Sequence, residues 1–248
     1  MLTHAIIVLC VAAFVVQNAV GREAWWPFAL GGRGFEWYQL LTSTLLHGGW
    51  LHLIFNMIVF LALGPNVEDK LGRARFLLLY VLGAAASGGA HLLFSNSPAI
   101  GASGAIAAVT GAYLVLFPST RIVCFAFWFT VVGRIAVPAW WFIGLNIAID
   151  LLAGGFGGNT GIAHAAHLGG YALGILGMML VLQLKLVPRD SHDLFTYFRQ
   201  KRRRAAIQDA IRDQQQRVER TVGTDADPKE AEQSRRMQEA VGKVRLRR

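Results

Sequence analysis

Six long apolar stretches constrain the fold of this chain more than any other feature of its sequence. They cover approximately residues 3–20, 50–67, 75–95, 101–117, 137–153 and 164–187. The hydrocarbon core of a bilayer is about 30 Å thick, so a helix needs about 20 mainly apolar residues to cross it. Only 16% of the 248 residues are charged, against about 25% in a typical soluble domain. The sequence therefore predicts an all-α polytopic membrane protein, built as a bundle of six transmembrane helices.

The charged residues are concentrated at the C-terminal end of the chain. Residues 188–248 contain 16 Lys and Arg but only 10 Asp and Glu. We therefore expect a six-helix membrane domain over residues 1–187 and a basic cytosolic tail over residues 188–248, partly helical or disordered. A solvated helix that frays after Gly223 and a segment that contacts anionic lipid are the two interpretations of this tail. It lacks an aromatic or groove-fitting motif, so we expect no nucleic-acid partner.

Basic residues between the stretches predict the orientation of the bundle. Lys70, Arg73 and Arg75 lie between the second and third stretches, and Arg121 and Arg134 lie between the fourth and fifth. Because cytoplasmic loops carry an excess of Lys and Arg, both termini should be cytoplasmic. No Lys or Arg precedes the first stretch, so we expect a retained helix and not a cleaved signal peptide.

A further apolar run, residues 122–132, complicates the count of membrane spans. It is too short to cross a bilayer, and Arg121 and Arg134 at its two ends would then lie on opposite sides. We therefore expect an interfacial or re-entrant segment on the cytoplasmic face.

Four polar residues lie near the ends at which the second, fourth and sixth stretches begin. His52 and Asn56 are four residues apart, so they share one face of a helix. Ser103 stands at the start of the fourth stretch, and His167 lies about one turn into the sixth. In the predicted topology all three stretches begin at the non-cytoplasmic side. We therefore expect the four side chains to lie at one depth.

Small residues predict a close contact between the fourth and sixth stretches. Gly104, Ala108 and Gly111 are spaced along one of them, and Gly170 and Gly174 along the other. Side chains of this size let two membrane helices approach until residues on each can hydrogen-bond. Ordinary helix packing is the alternative explanation, since such patterns are common in membrane spans.

Three motifs formed by these residues resemble those of the rhomboid family of intramembrane serine proteases. They read Gly101-Ala102-Ser103-Gly104, then Ala166-His167 followed by Gly170 and Gly174, and His52 followed by Asn56. The resemblance extends over about residues 35–187. It implies the rhomboid bundle fold and hydrolysis of peptide bonds inside the membrane, with no cofactor.

The resemblance also implies a role for each of these residues. Ser103 would attack the scissile carbonyl, and His167 would take the proton, because a serine hydroxyl is a weak nucleophile without an adjacent base. The Ser103 backbone N–H and the side chains of His52 and Asn56 would hold the oxyanion. The residues implied to support this site are Gly101, Gly104, His47, His164, Gly170 and Gly174.

Several neighbouring residues leave parts of this site open. His164, one turn before His167, is an alternative base. We expect Asp150 to be satisfied by water near the membrane surface, and orientation of His167 is the alternative role. Ala107 stands where many rhomboids have an aromatic ring on the catalytic histidine, so His167 must be supported from elsewhere. His91 is expected to be an ordinary interface residue.

The arrangement of histidines and cysteines favours a site without metal. His47, His52 and His164 have no acidic or thiol partner at ligand spacing, although two imidazoles one turn apart can bind a metal. Cys10 and Cys124 lie far apart in apolar surroundings, so neither a disulfide nor a zinc site is expected.

Taken together, the sequence predicts an endopeptidase that cuts transmembrane helices of single-pass proteins within the lipid bilayer. We expect it in a bacterial inner membrane. One alternative is a small-solute transporter in which the same polar residues form a conduction path. The other is a catalytically silent relative that binds membrane helices without cutting them.

Overall fold

Each of the six apolar stretches contains an α-helix in the computed structural model of the protein. The structure describes residues 1–128, 131–155, 163–189, 193–222, 232–233 and 236. In chain order its elements are α1 (Leu2–Ala19), α2 (Arg22–Trp25), α3 (Gln39–Thr42), α4 (Trp50–Leu71), α5 (Arg73–Phe94), α6 (Ser103–Leu116), β1 (Arg121–Trp128), β2 (Val131–Pro138), α7 (Ala139–Gly155), α8 (His164–Gln183) and α9 (Leu194–Val222).

Four of the described helices, α1, α4, α5 and α8, are long and apolar enough to cross a membrane. Helices α6 and α7 are apolar but shorter. Apolar side chains also cover the outside of the bundle, which suits contact with lipid better than contact with water. Exposed examples are Val8, Val16, Leu51, Phe55, Ile58, Leu78, Leu152 and Leu176. The chain is a helical integral membrane protein, and the count of six spans stays a prediction.

Helix α6 lies at the centre of the bundle. All of its residues except Ser103 and Leu114 are buried, and it packs against α4, α5 and α8. Most of these residues are Gly, Ala or Val, which leave room for the neighbouring backbones. Because other helices surround it, the 14-residue α6 need not match the thickness of a bilayer by itself.

Helices α6 and α8 meet backbone to backbone. A Cβ added at Gly170 would lie 2.2 Å from the carbonyl oxygen of Gly104, and one at Gly174 would lie 2.0 Å from that of Ala108. A Cβ at Gly104 would in turn overlap Ser87 of α5. The close approach that the small residues predict is therefore present, and it allows no side chain at these glycines.

Glu68 fastens the start of α1 to the end of α4. Its Oε1 accepts the N–H of Leu2 at 2.6 Å, and its Oε2 accepts the N–H of Thr3 at 2.9 Å and the Thr3 hydroxyl at 2.7 Å. The first N–H groups of a helix have no partner within the helix, and a carboxylate there also complements the helix dipole. The buried Glu68 therefore holds α1 against α4 from the helix end.

Residues 121–128 and 131–138 differ from the all-α expectation. Strands β1 and β2 pair antiparallel, with Arg121 opposite Pro138 and Trp128 opposite Val131. The segment is rich in β-branched and aromatic residues, which favour a strand, and a short apolar run does not by itself distinguish strand from helix. The expected all-α fold was therefore wrong here, while the interfacial or re-entrant position of residues 122–132 stays a prediction.

The chain divides into two compact units, Met1–Thr196 and Tyr197–Arg248. The first contains α1 to α8 and the hairpin. The described part of the second is mainly the continuation of α9, along which Arg212 pairs with Asp209 and Arg217 with Asp213, about one turn apart. A helix here fits the expected helical part of the tail, and the predicted fraying after Gly223 lies outside the described residues.

Candidate active site

A cavity of about 970 Å³ opens among the ends of α4, α5, α6, α7 and α8. Polar side chains from several helices line it, although apolar residues form much of its wall. Those from the predicted site are His52, Asn56, Ser103, His164 and His167. The structure therefore gathers residues from three separate stretches of sequence at one end of the bundle, as their common depth predicts.

Gly101 shapes the turn that leads into Ser103. Its φ is +126°, a conformation that favours glycine, and its N–H donates to the Ser43 carbonyl at 2.9 Å. A Cβ at Gly101 would lie 2.7 Å from His52 Cε1. Ser103 then begins α6, where the first N–H groups have no partner in the helix and point toward any anion placed there.

His52 and Ser103 both lie close to Gly101. The point that a Gly101 Cβ would occupy is 2.9 Å from His52 Nε2 and 3.7 Å from Ser103 Oγ. The N–H of Gly48 donates to His52 Nδ1 at 3.2 Å, so in the neutral ring Nε2 carries the proton. His52 therefore presents an N–H donor near Ser103, as an oxyanion-binding group must.

Asn56 is buried one turn further along α4. Its side-chain amide donates to the His52 carbonyl at 2.8 Å, which occupies one of its two N–H groups. The second N–H is the donor that an oxyanion would need. Asn56 therefore lines the cavity with part of its hydrogen-bonding capacity already used within α4.

Asp150 of α7 binds both histidines at the start of α8. Its Oδ1 lies 2.7 Å from His164 Nδ1, and its Oδ1 and Oδ2 both lie 3.2 Å from His167 Nδ1. Only 7% of Asp150 is exposed. The expectation of an interfacial carboxylate satisfied by water was therefore wrong, because a buried carboxylate needs protein donors and two imidazoles supply them.

Ser103 and His167 line the same cavity, but no hydrogen bond joins them among the residues that the structure describes. The contact of Asp150 with Nδ1 leaves His167 Nε2 as the nitrogen available to Ser103. Hydrogen bonds between catalytic groups are often long in an enzyme without substrate and tighten in the complex. The arrangement thus supplies a hydroxyl and an imidazole in one cavity, with the hydroxyl at a helix N-terminus.

His47 braces the loop before α4. Its backbone N–H and carbonyl both bind the Gln17 side chain of α1, at 3.0 and 2.8 Å. The ring is buried, lies 5.3 Å from the His52 ring between centroids, and makes a 3.3 Å hydrogen bond to the Leu45 carbonyl. Burial, with a smaller contribution from His52, lowers the pKa of His47 to about 4. His47 is therefore neutral at pH 7.

His91 is not the ordinary interface residue that the sequence suggests. It is buried on α5 and lines the cavity, and its Nε2 bonds the Ser97 carbonyl at 2.6 Å. This bond holds the loop that runs from α5 toward Ser103. The available signal was a histidine one turn from the end of an apolar helix, which the sequence alone assigns to the membrane interface.

Comparison with known proteins identifies the family of this chain. The family model of the Rhomboid domain matches residues 34–184, which include every residue of the cavity discussed above. The chain belongs to the rhomboid family. Because the match runs from before α3 to just past the end of α8, the motifs and the helices that carry them fall within one rhomboid domain.

Three relatives illustrate the similarity. The rhomboid protease GluP of Bacillus subtilis is 35% identical over 137 residues, which are 54% of this chain and 24% of that protein. RHOMBOID-like protein 4 of Arabidopsis thaliana is 32% identical over 153 residues, 61% and 36% of the two chains. The rhomboid protease GlpG of Klebsiella pneumoniae is 30% identical over 114 residues, 44% and 41% of the two chains. The chain thus spans less than half the length of each of these relatives.

Proposed function

We propose that this chain is an intramembrane serine endopeptidase that works through a Ser103–His167 dyad. The observation that carries the proposal is the common cavity of these two residues, at the starts of α6 and α8 within an apolar bundle. The rhomboid proteases named above are the relatives that support it. A hydroxyl and an imidazole held together in an apolar protein are suited to acyl transfer.

The reaction follows from the two side chains. His167 Nε2 takes the proton of Ser103 Oγ as the oxygen attacks the carbonyl carbon of the scissile peptide. His167 then gives that proton to the leaving amine, and the C–N bond breaks to leave an ester on Ser103. His167 then takes a proton from water as that water attacks the ester carbonyl, and it gives the proton to Ser103 Oγ as the bond between the carbonyl carbon and Oγ breaks. The acid product leaves and ionises, and Ser103 is restored. No metal or cofactor is needed for these steps.

The oxyanion would bind between α6 and α4. We propose the Ser103 backbone N–H, His52 Nε2–H and the remaining N–H of Asn56 as its donors. Losing one such donor typically costs about 3 to 4 kcal/mol of transition-state stabilisation. His52 contributes most directly, because its hydrogen bond from Gly48 fixes the tautomer that donates.

The substrates that suit this site are transmembrane helices of single-pass proteins. Water must reach a peptide bond whose carbonyl is already bonded within a helix, and a cavity of about 970 Å³ with polar groups in its wall can hold both water and an unwound turn. Small or helix-breaking residues near the scissile bond would lower the cost of that unwinding. The chain would act as an endopeptidase on such segments.

We further propose six membrane spans with both termini in the cytoplasm of a bacterial cell, and the inner membrane as the location. The basic residues between α4 and α5 support this orientation. It puts the starts of α4, α6 and α8 on the outer side, so cleavage would fall near the outer ends of substrate helices.

The proposal is tested by cleavage of a reporter transmembrane helix in liposomes containing the purified protein. Wild type should cleave, whereas Ser103→Ala and His167→Ala should not. Ser95→Ala is the matched control, because Ser95 lines the same cavity but has no proposed role in the chemistry. The chelator EDTA should leave cleavage unchanged, since metal activation of water is not part of the mechanism.

The outcomes separate the proposal from its rivals. Undiminished cleavage by either dyad variant would overturn it. Absence of cleavage by wild type, with retained binding of the reporter helix, would indicate a silent relative that binds helices. Solute flux through the liposomes that persists in Ser103→Ala would indicate a transporter.

A further inference from the structure

Asp150 occupies a place in the site that the proposed dyad does not explain. It lies on α7, whereas the two rings that it contacts lie on α8. The side chains of Asp150 and His164 are each less than a tenth exposed, and that of His167 is 19% exposed. Two separate ring contacts therefore converge on one buried carboxylate beside the catalytic cavity.

The geometry restricts which nitrogens carry protons. An ionised carboxylate accepts hydrogen bonds and donates none. Each ring approaches Asp150 with Nδ1, at 2.7 Å for His164 and 3.2 Å for His167, so each Nδ1 must carry a hydrogen. A neutral imidazole has a single N–H, and His167 Nε2 is then left with the lone pair that a general base needs.

We propose that Asp150 is a positioning residue that holds His167 in the Nδ1–H tautomer, and that His164 in turn fixes the carboxylate of Asp150. This inference rests on the proposed function, because it assigns the orienting group of that dyad. Asp150 also stabilises the imidazolium that forms when His167 takes the proton of Ser103. The site is then a triad with one additional histidine.

The surroundings of His167 explain why such a group is needed. Ala107 of α6, close to α8 at Gly170, has no ring to pack on the imidazole. Among the described residues, the aromatic neighbour of His167 is His164, at 6.5 Å between ring centroids, and it is itself bound to Asp150. Orientation of His167 therefore depends on a hydrogen bond and not on ring stacking.

The titratable groups that line the cavity with His167, or contact the histidines of α8, come from four helices. They are His52 on α4, His91 on α5, Asp150 on α7, and His164 and Tyr171 on α8. Asp150 is the acidic member of this set. A single carboxylate among imidazoles is therefore the group whose replacement changes the tautomer of His167 most directly.

The test substitutes Asp150→Asn, which keeps the size of the side chain. An amide keeps one accepting oxygen, which can remain on the shorter contact to His164, but its NH₂ group then replaces the oxygen that lies 3.2 Å from His167 Nδ1. Because NH₂ donates and does not accept, it favours a neutral His167 ring that carries its hydrogen on Nε2. Loss of a carboxylate that orients a catalytic imidazole lowers turnover by up to about 10⁴-fold. We expect kcat for the reporter helix to fall by about 10²-fold or more, with KM little changed. Asp150→Glu, which keeps the carboxylate, should recover part of kcat.

Two further readouts distinguish positioning from a purely structural contact between α7 and α8. The ¹⁵N NMR shifts of labelled histidine report which ring nitrogen carries the hydrogen, and the His167 signal is assigned by its loss in His167→Gln. Wild type should show Nδ1–H for His167, and Asp150→Asn should convert it to Nε2–H. Asp69→Asn is the matched control, because this exposed carboxylate of α4 lies outside the site and should change neither kcat nor tautomer.

Each result decides the proposal. If Asp150→Asn lowers the thermal stability but leaves the kcat of the folded enzyme and the tautomer unchanged, Asp150 is a structural residue and the proposal is wrong. If wild type has Nε2–H on His167, the proposal is also wrong. If wild type has no proteolytic activity, the proposed function fails, whereas the NMR comparison still tests the action of Asp150 on His167.

Discussion

The contact between α6 and α8 provides the sharpest test of how this bundle is held together. In Gly174→Ala the new Cβ would lie 2.0 Å from the carbonyl oxygen of Ala108 and 3.0 Å from its Cα. Both partners are backbone atoms, so no rotamer change can relieve the overlap. The helices must separate by roughly 1 Å, in a core that is normally close-packed.

The magnitude follows from two opposing effects. Overpacking of a well-packed core costs about 1 to 3 kcal/mol, and the upper end applies where backbone meets backbone. Alanine gains at most about 1 kcal/mol over glycine from helix propensity. Gly174→Ala should therefore destabilise the fold by about 2 kcal/mol. Gly177→Ala on the same helix is the matched control, because a Cβ there meets nothing within 4 Å, and it should be neutral or slightly stabilising.

The assay is reversible unfolding of the two variants and wild type in mixed detergent micelles, together with cleavage of the reporter helix. Gly174→Ala should lose more activity than stability alone explains, because separating α6 from α8 also separates Ser103 from His167. Equal free energies of unfolding for the two variants would refute the argument that backbone contact at Gly174 holds these helices together.

Two other predictions concern the loop before α4 and the start of α1. The pKa of His47 is lowered from 6.5 to about 4, so the unfolded state binds the proton more readily than the folded state. The contribution of His47 to the free energy of unfolding should therefore be fully present above pH 6.5. It should fall by at most about 3 kcal/mol as the pH is lowered toward 4. His47→Gln should remove this part of the pH dependence of unfolding, and an unchanged dependence would contradict the explanation. Glu68→Ala should lower the free energy of unfolding by about 3 kcal/mol, since it leaves two helix N–H groups of α1 without a partner. Asp69→Ala is the control, because Asp69 is exposed. Equal losses in the free energy of unfolding for the two variants would argue against the role of Glu68 in binding the first N–H groups of α1.

The helices and the location of the site could be predicted from the sequence because both depend on local patterns. Apolar runs of membrane length indicate helices, and the loop charges indicate which helix ends share a side. The four predicted site residues each lie near the start of such a run: His52, Asn56, Ser103 and His167. Because alternate spans begin on the same side of the membrane, a common cavity for these residues could be expected. The three motifs, two of which contain glycine, then point to the family.

The support of His167 by Asp150 could be named from the sequence only as the alternative to a carboxylate satisfied by water. Asp150 precedes His164 and His167 by 14 and 17 residues, and its contact depends on how α7 packs on α8, which no local pattern records. The available signal was a carboxylate inside an apolar helix, because a buried carboxylate needs hydrogen-bond donors from the protein. The strand pair formed by residues 121–128 and 131–138 was missed for a different reason, because β-branched apolar runs of this length suit a strand as well as a buried helix.

The central claim, that Ser103 is a nucleophile activated by His167, is tested most directly by covalent trapping. The protein in liposomes is treated with a fluorophosphonate, and the modified residue is identified by mass spectrometry. We expect an adduct on Ser103 of wild type and of Ser95→Ala, and no adduct in His167→Ala or Ser103→Ala. An adduct on another serine, or cleavage of the reporter helix by a protein that carries no reactive Ser103, would contradict it.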